Sequence, residues 1–215
     1  LTGEKYDYIE IKYLLRSLQK HKINYRNIYI IHREKQDKLY GYPEFLKENT
    51  NLHFISHKEL GADYEISRAC QIPFLFNKIP NLSNIFFHIE DDQFIMNKLL
   101  FDNLLNENSE KKIKIRKAEY YNYDEYLYSK EQVKGWKQWH LGQMNASKFF
   151  NMEKYSFDIH NIKLYNKQIL NEIERMYPKI WDDSKKLIYP LPNSPYRCNL
   201  WSLYSSYVIT VKKFN

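Results

Sequence analysis

The chain has 215 residues, a formal net charge of +7 at pH 7, and aromatic side chains at 17% of its positions. This length is sufficient for one domain with a substantial core. No apolar run approaches the length of a membrane span, and no basic start is followed by an apolar stretch. The sequence therefore predicts neither a transmembrane helix nor a secretion signal, and we expect a cytoplasmic protein of a bacterium or of a virus-infected cell.

The net charge leaves several classes of partner open, and the two cysteines predict no zinc site. A basic balance suits nucleic acid, an acidic membrane surface or a phosphate-bearing small molecule. Cys70 and Cys198 lie far apart, with no other Cys or His at zinc-like spacing, so we expect two free thiols.

The first half of the chain alternates between helical and extended patterns. Apolar residues at intervals of three and four predict a helix over residues 8–21. Strands are predicted over residues 27–32 and 52–56, with a helical stretch over 43–48 between them. This alternation is typical of a parallel sheet.

A second helix is predicted over residues 64–77, with Pro73 as a kink or boundary. A strand is predicted over residues 84–89, and it leads directly into three consecutive acids at positions 90–92. Residues 93–96 form a further extended apolar piece.

The second half is less regular in its pattern. Residues 117–140 are rich in Tyr and Trp and show no periodicity strong enough to assign. Helices are predicted over residues 167–177 and 200–208, and the prolines between them, beginning with Pro178, predict an irregular segment.

The three acids Glu90, Asp91 and Asp92 are the most informative feature. Adjacent carboxylates raise one another's cost of ionisation, and a bound divalent cation removes that cost. Oxygen ligands suit Mg²⁺ or Mn²⁺, which leave positions open for substrate phosphates. A solvated acidic turn would carry the same residues, but the apolar segments on both sides favour a site.

Three stretches resemble the Stealth-type capsular polysaccharide phosphotransferases: YLLRSL (13–18), RNIYII (26–31) and IPNLSNIFFHIEDDQF (79–94). The chain is also similar to short glycosyltransferase-like proteins of bacteria, phages and large DNA viruses. In those proteins a helix with Arg and Cys precedes the acidic motif, as SRAC (67–70) does here. Later segments similar to their tails are DIHN (158–161), NK (166–167) and YRCNL (196–200).

The resemblance implies an α/β fold, namely a single GT-A-like (Rossmann-like) domain with a mostly parallel central sheet flanked by helices. Residues 1–215 would form this domain, with about 1–97 as the nucleotide-sugar donor half and about 98–215 as the acceptor half and tail. The sequence departs from the family pattern at Glu90, where Stealth proteins commonly have Asn, and at Asn161, which stands in the region where relatives have Pro.

Site residues follow from the motif and the resemblance together. We expect Asp92 and Asp91 to bind the metal and Glu90 to face the cation or the donor, and the resemblance implies that His160 completes the metal site. Arg68, which could equally form a surface salt bridge, is a candidate for the diphosphate. By position in the amino-terminal loop, Gly3 and Lys5 are further candidates for donor contact, and Lys167 and Arg197 are weaker phosphate candidates.

The acceptor side is less defined. Trp136 and Trp139 are expected to stack on a saccharide, and the alternative for each is a place in a core or in support of a long loop. A catalytic carboxylate base is expected among Asp158, Asp182 and Asp183, and Asp158 is our choice.

The predicted function is metal-dependent glycosyl transfer from a nucleotide-sugar, with UDP favoured and GDP possible as the nucleotide, to a saccharide or glycan acceptor. The first alternative is transfer of a sugar 1-phosphate, as in Stealth proteins. The second alternative is a noncatalytic basic module that binds carbohydrate or nucleic acid. We do not expect nucleic acid, because the acidic cluster would repel a polyanion.

Overall fold

A computed structural model describes residues 9–32, 51–62, 72–90, 93, 95–96, 117–119, 134–152, 155–157, 162–185 and 198–213. The chain forms two compact units, one from residues 1–67 with 89–111 and the other from residues 68–88 with 112–215. We call these the first and the second unit. None of the helices within the described ranges is long and apolar enough to span a membrane. The single GT-A-like domain stays a prediction.

The first unit contains a helix packed on two parallel strands. Helix α1 covers Ile9–Lys20, strand β1 covers Ile28–His32, and strand β2 covers Leu52–Ser56. The two strands pair in register from Ile28 opposite Leu52 to His32 opposite Ser56. One face of the pair carries Ile28, Ile30, Leu52 and Phe54, and it packs against Ile11 and Leu15 of α1. Apolar side chains recur about every 3.6 residues in the helix and every two residues in the strands, so they lie on the faces that form this core.

The carboxyl end of β2 is fixed by a reciprocal capping box. The backbone N–H of Ser56 donates to Glu59 Oε2 over 2.6 Å, and the N–H of Glu59 donates to Ser56 Oγ over 3.2 Å. These two bonds from Ser56 lower the pKa of Glu59, with a smaller contribution from His32. The sequence SHKE therefore ends the strand in a defined turn.

The second unit combines four short strands with four α-helices and a 3₁₀ helix among its described residues. The 3₁₀ helix covers Ile72–Lys78, and the strands are β3 (Ile85–His88), β4 (Lys117–Glu119), β5 (Tyr155–Phe157) and β6 (Lys163–Asn166). The helices are α2 (Lys134–Phe149), α3 (Lys167–Met176), α4 (Pro178–Lys185) and α5 (Leu200–Thr210). Strand β3 pairs antiparallel with β6, and β4 pairs antiparallel with β5.

Helix α5 is the centre of this unit, since every residue from Leu200 to Val208 is buried. A helix that is buried on every side lies in a core rather than on a surface. Its Tyr204 ring lies 4.9 Å from the ring of Tyr165 on β6, and its Trp201 ring lies 5.4 Å from the same ring. Cys198, just before the helix, is a free and buried thiol, as predicted, and burial raises its pKa.

Two asparagines begin helices in the second unit. Asn166 Oδ1 accepts from the N–H of Gln168 at the start of α3, and Asn199 Oδ1 accepts from the N–H of Trp201 at the start of α5. Asn199 also donates its N–H to the carbonyl of Gly142 on α2 over 3.0 Å. A Cβ at position 142 would lie 3.2 Å from that nitrogen, so glycine permits the close approach of α2 to the start of α5.

The structure corrects several predictions for the second half. Helix α2 begins at Lys134, inside the range that periodicity could not assign, and Pro178 begins helix α4 instead of an irregular segment. Proline suits the first turn of a helix because the missing N–H has no partner there. Within the predicted helix over 64–77, the described part is a 3₁₀ helix. Of the three described strand pairs, one is parallel and two are antiparallel, so the described strands do not form a mostly parallel sheet.

The hydroxyl of Tyr204 provides a test of this packing. It accepts a hydrogen bond from the N–H of Asn166 over 2.8 Å. We expect Tyr204→Phe to lower the free energy of unfolding by about 1–2 kcal/mol, because the amide loses its partner inside the protein. Urea unfolding should detect the change, and Tyr25→Phe at an exposed position is the matched control. Equal urea midpoints for Tyr204→Phe and wild type would show that this bond does not contribute to stability.

Candidate functional site

Strand β3 is the element that leads into the acidic motif. It ends at His88, and the acids begin at Glu90. Phe86 of this strand stacks on Tyr165 of the neighbouring β6 at 5.6 Å, and Phe76 of the 3₁₀ helix meets Phe86 edge-on at 5.7 Å. These ring contacts fix the strand within the second unit.

The segment that precedes β3 is tied to the start of α3. The backbone N–H of Lys167 donates to the carbonyl of Asn84 over 2.7 Å. The side-chain Nζ of Lys167 donates to the carbonyl of Ile79 over 3.3 Å. Lys167 was predicted as a weak phosphate candidate, but its ammonium group holds the backbone of the loop before β3. The phosphate role of Lys167 stays a prediction.

The last residue of β3 is a histidine in an apolar environment. His88 lies 4.9 Å from the ring of Phe76 and pairs across the strands with Lys163, whose side chain is buried. His88 keeps some accessible surface, but its Nδ1 is buried and has no hydrogen-bond partner among the described residues. Burial, and secondarily the charge of Lys163, lowers the pKa of His88 to about 3. The imidazole is therefore neutral at physiological pH.

The acidic segment itself is held by two backbone bonds. The N–H of Glu90 donates to Gln93 Oε1 over 3.0 Å, and the N–H of Gln93 donates to the carbonyl of Glu90 over 3.2 Å. The first of these bonds, from a backbone N–H to the side chain three residues later, also occurs in capping boxes. These bonds fix the separation of Glu90 and Gln93, the residues that flank Asp91 and Asp92 in sequence.

The residues after the motif are anchored to α1 within the first unit. Ile95 is only 1% exposed, and its N–H donates to Ser17 Oγ over 3.0 Å. The Ser17 hydroxyl in turn donates to the carbonyl of Leu14 over 2.7 Å. Ser17 belongs to the YLLRSL stretch, so the bond from Ile95 connects one of the stretches that carried the resemblance to the residue that directly follows another.

Most of the predicted site residues lie outside the described part of the chain. Glu90 is described and half-buried, whereas Trp136 and Trp139 lie on α2 with side chains outside the description. Among the described residues, no three His, Cys, Asp or Glu side chains form a group that could hold a metal ion. The residues that lie outside the description are Gly3, Lys5, Arg68, Asp91, Asp92, Asp158, His160 and Arg197.

Asp182, one of the alternative bases, takes part in an ion pair, and its role as a base stays a prediction. Asp182 on α4 lies 2.9 Å from Lys185 Nζ, and its side chain is 54% exposed. This pair is a helix-surface interaction between residues three apart. Asp158, our predicted base, stays a prediction.

Three residues of this region were missed by the reasoning from sequence. Gln93 could have been recognised from its position three residues after Glu90, which is the spacing of a capping box. Ser17 gave no signal, because its contact with Ile95 spans 78 positions. Lys163 is a buried lysine in a short strand, and nothing in its neighbours predicted its burial.

Comparison with known families agrees with the stretches quoted above. The family model described as Stealth protein CR2, conserved region 2, matches residues 5–113, which is just over half of the chain. The chain belongs to the Stealth protein family. The matched region of this Stealth protein contains α1, β1, β2, β3 and the acidic motif. No curated protein matches the chain.

The Ser17 bond predicts the local stability of the segment after the acids. Ser17→Ala removes the acceptor for the Ile95 N–H, and we expect the exchange of that amide with solvent to become roughly five- to tenfold faster, because a hydrogen bond of this kind contributes about 1 kcal/mol. Hydrogen exchange measured by NMR tests this. Ser17→Thr, which keeps a hydroxyl, should remain close to wild type, and unchanged protection in Ser17→Ala would contradict the assignment.

The environment of His88 predicts a pH dependence. Because the folded pKa lies below the ordinary value of 6.5, the unfolded chain binds more protons between pH 6.5 and about 3. Stability from His88 is therefore fully present above pH 6.5 and decreases as the pH falls through this window. His88→Phe should show a smaller loss of unfolding free energy than wild type between about pH 7 and pH 5. Imidazole chemical shifts that titrate with a midpoint near 6.5 would show that the ring is solvated.

Proposed function

We propose that this Stealth protein transfers a sugar 1-phosphate from a nucleotide-sugar to a hydroxyl of a saccharide acceptor, in the synthesis of a polysaccharide. The observation that carries the proposal is the family match, which includes the acidic motif. Family membership favours this transfer over the glycosyl transfer that we predicted first. It also argues against a noncatalytic binding module, because the family resemblance is to transferases.

The proposed reaction is an attack on phosphorus. The acceptor oxygen forms a bond with the phosphorus next to the sugar, and the bond from that phosphorus to the bridging oxygen breaks. The nucleoside monophosphate leaves with the bridging oxygen, and the acceptor proton passes to a base. Catalysis then consists of positioning and of stabilising charge on the phosphoryl oxygens.

The acids following β3 suit a hard cation, because carboxylate oxygens are the ligands that Mg²⁺ and Mn²⁺ prefer. In this proposal Asp91 and Asp92 would hold the cation, with His160 as a third ligand, and a bound cation would neutralise charge on the diphosphate. Glu90 would face the donor sugar or ribose. Arg68, Lys5 and Gly3 would contact the phosphates or the nucleotide, and Asp158 would accept the acceptor proton.

Described contacts support this arrangement of the acidic loop. Gln93 holds the backbone of Glu90, and Ser17 holds Ile95, on the two sides of the proposed ligands. Catalytic groups need supporting residues that restrict their positions to the productive geometry. The proposal of a GT-A-like donor half, with UDP-sugar favoured over GDP-sugar, rests on the resemblance. Trp136 and Trp139 would stack on the acceptor saccharide.

The leaving nucleotide is the decisive measurement. The chain is incubated with UDP- and GDP-sugars, oligosaccharide acceptors and Mn²⁺ or Mg²⁺, and the released nucleotide is identified by chromatography. We expect a nucleoside monophosphate, and Asp92→Asn should lower its rate of release by about a hundredfold or more, because a bound cation contributes several kcal/mol to such reactions. Glu172→Gln, which changes an ion pair between α3 and Lys212, is the matched control and should retain the wild-type rate.

Each outcome has a distinct meaning. Release of a nucleoside diphosphate would replace the proposal with glycosyl transfer at the same donor site. Release that does not depend on Asp92 would remove the acids from the mechanism. No release with any donor would overturn both forms of transfer.

A further inference from the structure

Three exposed apolar side chains lie at the ends of three helices in the second unit. Phe149 is the last residue of α2, Met176 is the last residue of α3, and Val211 directly follows α5; their exposed fractions are 42%, 47% and 41%. Large exposed apolar side chains that cluster indicate an interaction surface, whereas single ones do not.

Ring and side-chain contacts connect Phe149 and Met176 through Tyr177 and Tyr207, and a backbone bond connects Val211 to Tyr207. The ring of Phe149 lies 5.2 Å from that of Tyr177, and the ring of Tyr177 lies 6.0 Å from that of Tyr207. The Tyr207 hydroxyl lies 3.3 Å from Met176 Sδ. Val211 donates its N–H to the carbonyl of Tyr207 over 2.9 Å. We call the surface formed by Phe149, Met176 and Val211 around these tyrosines the apolar patch.

Exposed basic residues lie beside the apolar patch. Lys148, Arg175 and Lys213 are sequence neighbours of its members or lie within two residues of them, and Lys179 follows Tyr177 closely. The acid on α3 nearest to this end, Glu174, accepts a hydrogen bond from Asn77 and lies 3.9 Å from Lys185 Nζ. Glu172 is paired with Lys212 at 2.6 Å, which is the main cause of its lowered pKa. Among the described residues named here, the positive charges therefore outnumber the negative ones.

Helix dipoles do not account for this arrangement. Cations are favoured at helix carboxyl ends, which explains Lys148 on α2 and Arg175 on α3. Lys179 lies in the first turn of α4, where the dipole disfavours a cation. The dipole also gives no reason for the exposure of Phe149, Met176 and Val211.

We propose that the apolar patch and its basic rim form a surface that binds an anionic lipid membrane. Apolar and aromatic side chains insert at the boundary between head groups and acyl chains, and lysines and arginines beside them bind acidic head groups. Tyrosines suit this depth because they carry both an apolar ring and a polar tip. A net charge of +7 favours the same partner over a neutral surface.

Vesicle binding tests the proposal. The chain is mixed with vesicles of phosphatidylcholine alone, or with equal parts of phosphatidylglycerol, and the bound fraction is measured by sedimentation. We expect binding to the anionic vesicles only, weakened by salt. Phe149→Ser with Met176→Ser, and separately Lys148→Gln with Lys213→Gln, should each lower the partition coefficient about tenfold.

Matched controls come from exposed residues elsewhere. Met96→Ser replaces an apolar side chain that is 83% exposed in the first unit, and Lys20→Gln with Lys78→Gln removes two exposed charges. Both should bind as the wild type does. Circular dichroism and thermal unfolding establish that each variant is folded before it is compared.

Several results would overturn the proposal. The wild type could fail to bind anionic vesicles, or the control charge variants could weaken binding as much as the rim variants, which would indicate binding by net charge alone. If the Phe149→Ser, Met176→Ser protein changes its molar mass by light scattering and keeps its vesicle binding, the apolar patch is a contact between copies of the chain.

Discussion

The ring of Tyr165 is the contact on which the second unit depends. It is fully buried on β6, where it stacks on Phe86 of β3 and meets Phe76 of the 3₁₀ helix at 6.0 Å. On its other side it contacts Trp201 and Tyr204 of α5. One aromatic side chain thus joins a strand pair to two helical elements, and edge-on aromatic contacts have preferred angles as well as distances. The orientation of β3 at the point where it leads into the acids follows from this packing.

In the first unit, the hydroxyl of Ser17 fixes the position of the chain in a comparable way. The Ser17 hydroxyl donates to the carbonyl of Leu14 in its own helix and accepts from the N–H of Ile95. One oxygen therefore provides the hydrogen-bond partner of the buried Ile95 amide and also bonds the backbone of α1. The helix that carries it is fixed to β1 and β2 by an apolar face. A rigid apolar core therefore determines, through one hydroxyl, where the chain lies three residues after Asp92.

Predictions from sequence agreed best with the structure for elements in which apolar residues recur at a regular spacing. The predicted ranges for α1, β1, β2, β3, α3 and α5 agree with the structure to within two residues. Strand β6 was missed because four residues, KLYN, are too few to show alternation, and its burial depends on Tyr165 meeting distant partners. Helix α2 was missed because its amphipathic pattern is weak within an aromatic-rich segment. The acidic motif could be recognised because it is contiguous, whereas Ser17 and Lys163 act through tertiary contacts that a local pattern does not contain.

The central position of α5 has a consequence for how the chain is made. The strand that leads to the acids is completed by β6 and by the aromatic residues of a helix that lies more than a hundred positions later in the sequence. During translation Phe86 leaves the ribosome long before Tyr165, which stacks on it, and before Trp201 and Tyr204, which pack on Tyr165. Domains with such distant contacts fold slowly and expose apolar surface until the later segments have been synthesised. A nascent chain that stalls before α5 therefore presents an uncovered aromatic strand, which makes it a substrate for chaperones and prone to aggregate.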